Sequence, residues 1–133
     1  MKIIVDTNIW ISFTIGKKLS TLKTLLNSKQ VEIYVCEELI GEYKAVVQRP
    51  KLRKYIGEKD ILDTLELMSL YCFCVDIEKQ AESPIRDIKD LYLLSLADTI
   101  PADYIVSGDK DLLVLGKHNE TRILDYNSFL SLL

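Results

Sequence analysis

The chain has 133 residues, 48 % of them hydrophobic, and its 17 Lys and Arg residues against 20 Asp and Glu residues give a net charge of -3. This length and apolar content suffice to bury a core without disulfides or a structural metal, so we expect one domain spanning residues 1–133. The three cysteines lack zinc-type spacing, and we find no signal segment and no apolar run long enough for a membrane span, so we expect a soluble, cytoplasmic protein.

Apolar runs rich in β-branched residues alternate with segments of helical periodicity, which is typical of a parallel sheet covered by helices. Strands are predicted at residues 2–5, 31–35, 73–77, 104–107 and 122–124. Helices are predicted at about residues 19–28, 37–48, 58–70, 88–99, 109–115 and 126–133. Trp10 and Phe13 lie on a helical turn after the first strand, where core or dimer packing is favoured over base stacking. The pattern predicts an α/β fold with a central parallel sheet of about five strands covered by helices.

Two predicted strands end in carboxylates. Asp6 interrupts the apolar stretch IIVDTNIWIS (3–12). Asp109 follows Ser107 at the end of the apolar run in YIVSGDKDLL (104–113). The carboxyl ends of parallel strands meet at one edge of the sheet, where open α/β sheets bind ligands. The alternative is structural: Asp6 would cap a following turn and Asp109 would N-cap the next helix.

The helix after the second strand carries Glu38 and Glu42 one turn apart. Glu42 is favoured as the inward carboxylate because it adjoins Gly41. A glycine inside a helix costs about 1 kcal/mol relative to Ala, and close approach of another backbone or a ligand is one reason to keep it. The alternative is a solvated Glu42 that pairs with Lys44 or Arg49.

The segment SPIRDIKDLYLLSLA (83–97) places two aspartates three residues apart before an apolar helix. In one interpretation Asp87 is the N-cap and Asp90 lies at N3, where the helix dipole favours negative charge by about 0.3–1 kcal/mol. In the other, Asp90 points into the cleft. The sequence leaves both interpretations open.

Four separated segments thus contribute acids to one predicted edge: Asp6, Glu42, Asp90 and Asp109. Unit charges about 4 Å apart repel by about 4 kcal/mol at an effective dielectric near ~20, so a cation is expected among them. Ligands that are all oxygens suit Mg²⁺ or Mn²⁺ better than Zn²⁺. Asn8 and Ser107 are the candidate supporting hydrogen-bonding residues. The cluster predicts metal-assisted attack of water on a phosphodiester.

Three blocks resemble PIN-domain ribonucleases, especially the VapC-like toxin components of bacterial and archaeal toxin-antitoxin systems. The blocks are IIVDTNIWIS, ELIGEYKAVVQRPKL and RDIKDLYLLSLADTIPADYIVSGDKDLL, in the order and spacing of the family. The resemblance implies a three-layer α/β/α sandwich, PIN-like and Rossmann-like, and divalent-metal-dependent endonucleolytic cleavage of single-stranded or structured RNA. It also implies frequent homodimers and inhibition by a small cognate antitoxin protein.

The acidic quartet of the family falls on the four acids named above, and its supporting positions fall on Asn8 and Ser107. Members of this branch often carry a second acid directly after the third ligand, where this chain has Leu91. That departure leaves Asp87 as a substitute for Asp90. The resemblance also makes Asp111 an auxiliary acid.

The segment RPKLRK (49–54) is the candidate contact to RNA phosphates. Its cations are Arg49, Lys51, Arg53 and Lys54. Without the four candidate ligands, sixteen acidic residues remain against seventeen basic ones, so the rest of the chain is nearly neutral. A solvated basic loop is the alternative for this segment. His118, in a polar stretch, is predicted to be a surface loop residue.

Two other functions compete with the ribonuclease. One is another Mg²⁺-dependent phosphohydrolase, but Asn8 stands where an aspartyl-phosphate phosphatase generally has its second acid. The chain also has no GxxxxGK phosphate loop. The other is a catalytically silent PIN-like module that binds RNA or a partner, which the presence of all four acids disfavours without excluding it.

Overall fold

The computed structural model of the protein describes residues 1–83 and 90–133. Its strands are β1 (Lys2–Val5), β2 (Glu32–Val35), β3 (Phe73–Cys74), β4 (Tyr104–Val106), β5 (Lys117–His118) and β6 (Thr121–Leu124). Its helices are α1 (Thr7–Gly16), α2 (Leu19–Asn27), α3 (Glu37–Val47), α4 (Pro50–Arg53), α5 (Glu58–Tyr71), α6 (Leu91–Thr99), α7 (Lys110–Leu115) and α8 (Tyr126–Leu130). None of the helices in these two ranges combines the length and the apolar character needed to cross a membrane.

The strands form one sheet with the order β3-β2-β1-β4-β6-β5. The pairing is parallel throughout the described sheet except between β5 and β6. The chain runs from β1 to β2 on one side and later enters β4 on the other side of β1. Open α/β sheets bind their ligands at such a reversal of strand order, beyond the carboxyl ends of the strands. Val5 pairs in register with Val106, so Asp6 and Ser107 leave the sheet side by side.

Helices cover both faces of the sheet and complete a three-layer α/β/α sandwich. Right-handed crossovers place α1, α2, α3 and α5 on one face and α6 and α7 on the other. Within the first layer, α1 packs against α3 and α5, and α2 packs against α5. Because both faces are covered, the central strands are apolar along their length, and Ile3, Ile4 and Ile105 are almost completely buried.

A buried cluster of hydroxyl groups joins three helices of the first layer. The Thr14 hydroxyl lies 2.8 Å from the Tyr43 hydroxyl and 2.9 Å from the Thr64 hydroxyl. The same Thr14 group also donates to the Trp10 carbonyl at 2.9 Å. Buried polar groups fix a packing arrangement because each must keep its hydrogen bond. Through Tyr43, this cluster fixes the register of α3 against α1.

The predicted sandwich is confirmed. Helices α1 and α4 are not among the predicted helices, and the other differences lie at the edges of the sheet. The third strand was predicted at 73–77 but consists of Phe73–Cys74, because β3 is an edge strand that pairs over this short length with β2. The hairpin strand β5 was not predicted, because Lys117–His118 is too short to show an alternating pattern. The described part of the helix predicted at 88–99 is Leu91–Thr99.

The prediction that His118 is a surface loop residue is wrong. His118 is 9 % exposed, and its Nε2 lies 3.1 Å from Asp98 Oδ2. Asn119 donates to the other oxygen of the same carboxylate at 2.8 Å. These contacts attach the β5–β6 hairpin to the end of α6. Asp98 lies twenty residues earlier in the chain, so the local polar sequence around His118 could not reveal its partner.

Candidate metal site at the carboxyl edge of the sheet

Asp6 directly follows β1 and precedes the first residue of α1. Its side chain makes no capping hydrogen bond to that helix, although the residue occupies the N-cap position. The backbone of Asp6 continues the sheet, since its N–H donates to the Val106 carbonyl at 2.9 Å. Only 4 % of Asp6 is exposed. The structural alternative, in which the carboxylate caps a turn, therefore does not account for this buried acid.

Ser107 holds the Asp6 carboxylate from the neighbouring strand. The Ser107 hydroxyl donates to Asp6 Oδ2 at 2.7 Å, and Ser107 itself is fully buried. The same hydroxyl oxygen accepts the backbone N–H of Asp109 at 3.0 Å. One side chain thus connects the acid after β1 to the acid after β4. The structure thus brings Ser107 into contact with Asp6, and its role in support of a metal ligand stays a prediction.

Asp109 does perform the structural task considered as its alternative. It is the N-cap of α7, and its Oδ1 accepts the Leu112 backbone N–H at 3.1 Å. This cap orients the carboxylate beside Ser107. Asp111 lies in the first turn of the same helix, where the helix dipole favours an acidic side chain.

The charges of Glu42 and Asp109 both reach the Asp6 carboxylate. Burial raises the pKa of Asp6 above its ordinary value, and the two neighbouring acids raise this pKa further. Hydrogen bonds from Ser107 and from the Thr7 backbone oppose this shift without cancelling it. Three separated segments therefore bring negative charge to one place, and the fold compensates that charge only in part.

Of the two glutamates of α3, Glu42 lies nearer the site. Glu42 is partly buried, whereas Glu38 is exposed. The prediction that Gly41 allows a close approach is not borne out within the described chain, because a Cβ placed on Gly41 meets no atom within 4 Å. The expected alternative pairing of Glu42 with Lys44 or Arg49 is also missing from the ion pairs of the described residues.

Asp90 directly precedes Leu91, the first residue of α6, and is partly buried. The backbone of Asp90 is helical, with φ -85° and ψ -10°, and the interpretation in which Asp87 is the N-cap stays a prediction. Asp87 itself lies outside the described residues.

Tyr92, two residues after Asp90, belongs to the site and was missed in the sequence. Its hydroxyl lies 3.3 Å from the Thr7 hydroxyl. Burial raises the pKa of Tyr92, and the charges of Glu42 and Asp6 raise it further. The phenol thus stays protonated beside the acids and links the start of α6 to the start of α1. An aromatic residue in an apolar helix is usually read as core, so only its position next to Asp90 could have indicated this role.

The remaining predicted residues lie around the acids. Asn8 is exposed in the first turn of α1, and within the described residues its amide makes no hydrogen bond to Asp6. Arg49 and Lys51 are exposed at the start of α4. Arg53 instead pairs with Glu58 at 3.5 Å. The cations of the basic segment therefore differ in their surroundings, because Arg49 and Lys51 are exposed whereas Arg53 pairs with an acid of α5.

The donor set fits a hard divalent cation. The ion pairs found in the described residues are Arg53 with Glu58 and His118 with Asp98, so Asp6, Glu42 and Asp109 have no cationic side chain as a partner there. Their donors are carboxylate oxygens with a neighbouring serine hydroxyl, which is the chemistry that Mg²⁺ and Mn²⁺ prefer. In residues 1–83 and 90–133, no three Asp, Glu, His or Cys side chains are already close enough to enclose an ion.

Comparisons with known proteins agree with this architecture. The structure is similar to a chain of the crystal structure of VapBC2 from Rickettsia felis bound to a DNA fragment from their promoter. The TM-score is 0.59 at 15% identity, and the match covers 92% of this chain and 97% of that one. The T. brucei RRP44 PIN domain aligns with a TM-score of 0.48 at 16% identity, over 97% of this chain and 78% of that one. No curated protein matches the chain. A family model described as PIN domain matches residues 2–111, which is most of the chain, so the chain belongs to the PIN domain family.

Proposed function

We propose that this protein is a divalent-metal-dependent endoribonuclease and the toxin of a toxin-antitoxin pair. PIN domains are generally nucleases, which supports the reaction class. The observation that carries the proposal is the buried Asp6 carboxylate. Ser107 orients this carboxylate, and the charges of Glu42 and Asp109 disfavour its ionised form. A fold keeps such a costly arrangement of charge where a ligand relieves it.

In this proposal Asp6, Glu42, Asp90 and Asp109 hold Mg²⁺ or Mn²⁺. When bound, the ion supplies a Lewis acid for a phosphoryl oxygen and makes a water molecule more acidic. Ser107 keeps one Asp6 oxygen fixed, so that the other oxygen faces the ligand. Asn8, Asp111 and Asp87 are the supporting residues of the proposal. Tyr92 limits the freedom of the first turn of α1 through Thr7.

The toxin role is an extension of the likeness to the VapBC2 chain and of the residue blocks that the family shares. It includes a cognate antitoxin protein as partner, a homodimer, and one domain over residues 1–133. Expression of the chain should inhibit growth, and Asp6→Asn should relieve this inhibition. Equal growth inhibition by both proteins would contradict a nuclease toxin.

The activity is tested by cleavage of a labelled single-stranded RNA with Mn²⁺ or Mg²⁺ and with EDTA. Glu42→Gln and Glu38→Gln form a matched pair, because both remove one negative charge from α3 and only Glu42 acts on Asp6. We expect Glu42→Gln to lose most of the cleavage and Glu38→Gln to retain it. Cleavage that is independent of the cation, or equal losses in the two variants, would contradict the site. Binding of RNA without any cleavage by the wild type would favour the catalytically silent module.

A further inference from the structure

An open groove lies between α1 and the segment that joins α3 to α4. Its volume is about 740 Å³, which is within the range of about 300–1,000 Å³ found for ligand clefts. The side chains used below are those of Asn8, Ile11, Val46, Arg49, Lys51 and Leu52, all of which line it. We call this feature the α1–α4 groove.

The floor of the α1–α4 groove is apolar. Ile11 is 7 % exposed, and Val46 and Leu52 pack on the core while remaining partly accessible. Binding of a flat or apolar group on such a floor is favourable, because it removes apolar surface from water. It offers few hydrogen-bonding groups, so it selects by shape and apolar contact.

The rim of the groove is cationic. Arg49 and Lys51 line it, and among the described residues no acidic side chain does. Neither cation belongs to an ion pair in that part of the chain. The clefts between α2 and α5 differ in this respect, because Asp63 lines them together with lysines. The α1–α4 groove therefore favours an anionic ligand.

The groove adjoins the acidic site. Asn8, which lines the groove, lies in the first turn of α1, two residues after Asp6. A chain molecule lying in the groove would thus pass from the cations Arg49 and Lys51 to the carboxylates. A polymer with apolar faces and a regular negative charge satisfies the floor, the rim and this continuity together.

We propose that the α1–α4 groove binds the single-stranded RNA that flanks the cleaved bond, with bases against the apolar floor and phosphates on Arg49 and Lys51. This inference depends on the proposed function, because it assigns a path to the substrate of that site. A single strand is required because the base faces of a duplex are covered by stacking. Arg53 and Lys54, on the same short segment, lie outside the groove lining, so this proposal narrows the RNA contact expected from the sequence to Arg49 and Lys51.

This difference supplies a matched control. The double variant Arg49→Gln/Lys51→Gln and the double variant Arg53→Gln/Lys54→Gln lose the same charge from neighbouring positions. Binding of a fluorescein-labelled single-stranded RNA decamer is measured by anisotropy in EDTA, where no cleavage occurs. We expect the first variant to bind at least about tenfold more weakly and the second to stay within about twofold of the wild type. The slope of log K against log salt should fall by about 1.4 for the first variant, since each contact to a single strand contributes about 0.7.

Equal effects of the two double variants would overturn the proposal, as would equal binding of a duplex of the same sequence. Loss of binding to a co-expressed protein partner with unchanged RNA binding would make the groove a protein-docking surface instead. Because binding is measured without a divalent ion, it is separate from the activity. RNA binding that depends on Arg49 and Lys51 without cation-dependent cleavage would remove the nuclease proposal and keep the groove. Cleavage by the wild type with unchanged binding of the first variant would remove the groove alone.

Discussion

Asp6 is a carboxylate held in a place that is unfavourable for its charge. It is 4 % exposed, it feels two other acids, and its one side-chain donor is Ser107 in the described hydrogen bonds. Residues of this kind lower the stability of a fold in exchange for function. The free energy of unfolding should therefore respond to its protonation and to its replacement.

Without divalent ions, we expect Asp6→Asn to be more stable than the wild type at pH 7. With divalent ions present, we expect the cleavage rate of Asp6→Asn to be lower by at least about 100-fold. The raised pKa means that the folded chain binds this proton more tightly than the unfolded chain. The stability contributed by Asp6 thus falls as pH rises from the ordinary value of 3.8 through the raised pKa, and it stays low at neutral pH. Urea unfolding in EDTA at several pH values should show the variant's advantage shrinking as pH is lowered. A wild type that is the more stable protein at pH 7 would contradict this account.

Ser107→Ala should weaken cation binding by about 10- to 100-fold while the fold is retained, because the Asp6 carboxylate loses the donor that orients it. Titration calorimetry with Mn²⁺ measures the affinity, and circular dichroism checks the fold. Ser107→Thr keeps the hydroxyl and serves as the control. Unchanged Mn²⁺ affinity of Ser107→Ala would show that the hydrogen bond is structural only.

At the scale of the helix, α7 depends on a residue that also faces the site. Asp109 caps the helix through Oδ1. Its negative charge also raises the pKa of Asp6. Capping needs an oxygen acceptor, whereas cation binding needs the negative charge. The two roles can therefore be separated by substitution.

Asp109→Asn should keep the stability of the metal-free protein and lose cleavage, because an amide oxygen still caps the helix. Asp109→Ala should lose cleavage and also about 1 kcal/mol of the free energy of unfolding. Urea unfolding in EDTA, measured beside the cleavage assay, distinguishes the variants. Full activity of Asp109→Asn would remove this residue from the site.

Helix α3 contains a glycine that its own packing does not require. Gly41→Ala should stabilise the protein by about 0.5–1 kcal/mol, because the added methyl group meets no atom within 4 Å and alanine loses less backbone entropy. Thermal unfolding measures this change. Activity of the same variant shows whether a ligand approaches the glycine closely, since a more stable but less active protein would indicate such contact. A loss of stability would contradict the open surroundings of Gly41.

At the scale of the whole molecule, the acids come from elements that only the completed sheet brings together. A cation that binds only the folded protein stabilises it by about 2.7 kcal/mol at one hundred times its dissociation constant. We therefore expect the urea midpoint to rise with Mn²⁺ concentration for the wild type and to rise much less for Asp6→Asn. NaCl added at the same ionic strength controls for general screening by salt. Equal responses of both proteins to Mn²⁺ would place the bound ion elsewhere.

Local pattern was sufficient for the layers of the fold and for one part of the site. Alternating strands and helices predicted a parallel sheet covered by helices, and the rule for parallel sheets predicted that Asp6, Ser107 and Asp109 meet at one edge. Periodicity could not separate Glu42 from Glu38, since both lie on one helix, and it gave Tyr92 no role. It also missed the partner of His118 and the short strand β5.

The sequence by itself determined most of the strands and helices, because burial and periodicity are recorded in neighbouring residues. Only the tertiary structure decided the partners of the side chains. Ser107 meets Asp6 across 101 residues of chain, and Tyr92 meets Thr7 across 85. Such contacts depend on the order of the strands and on the packing of α3 and α6 beside them, and no local pattern contains that order.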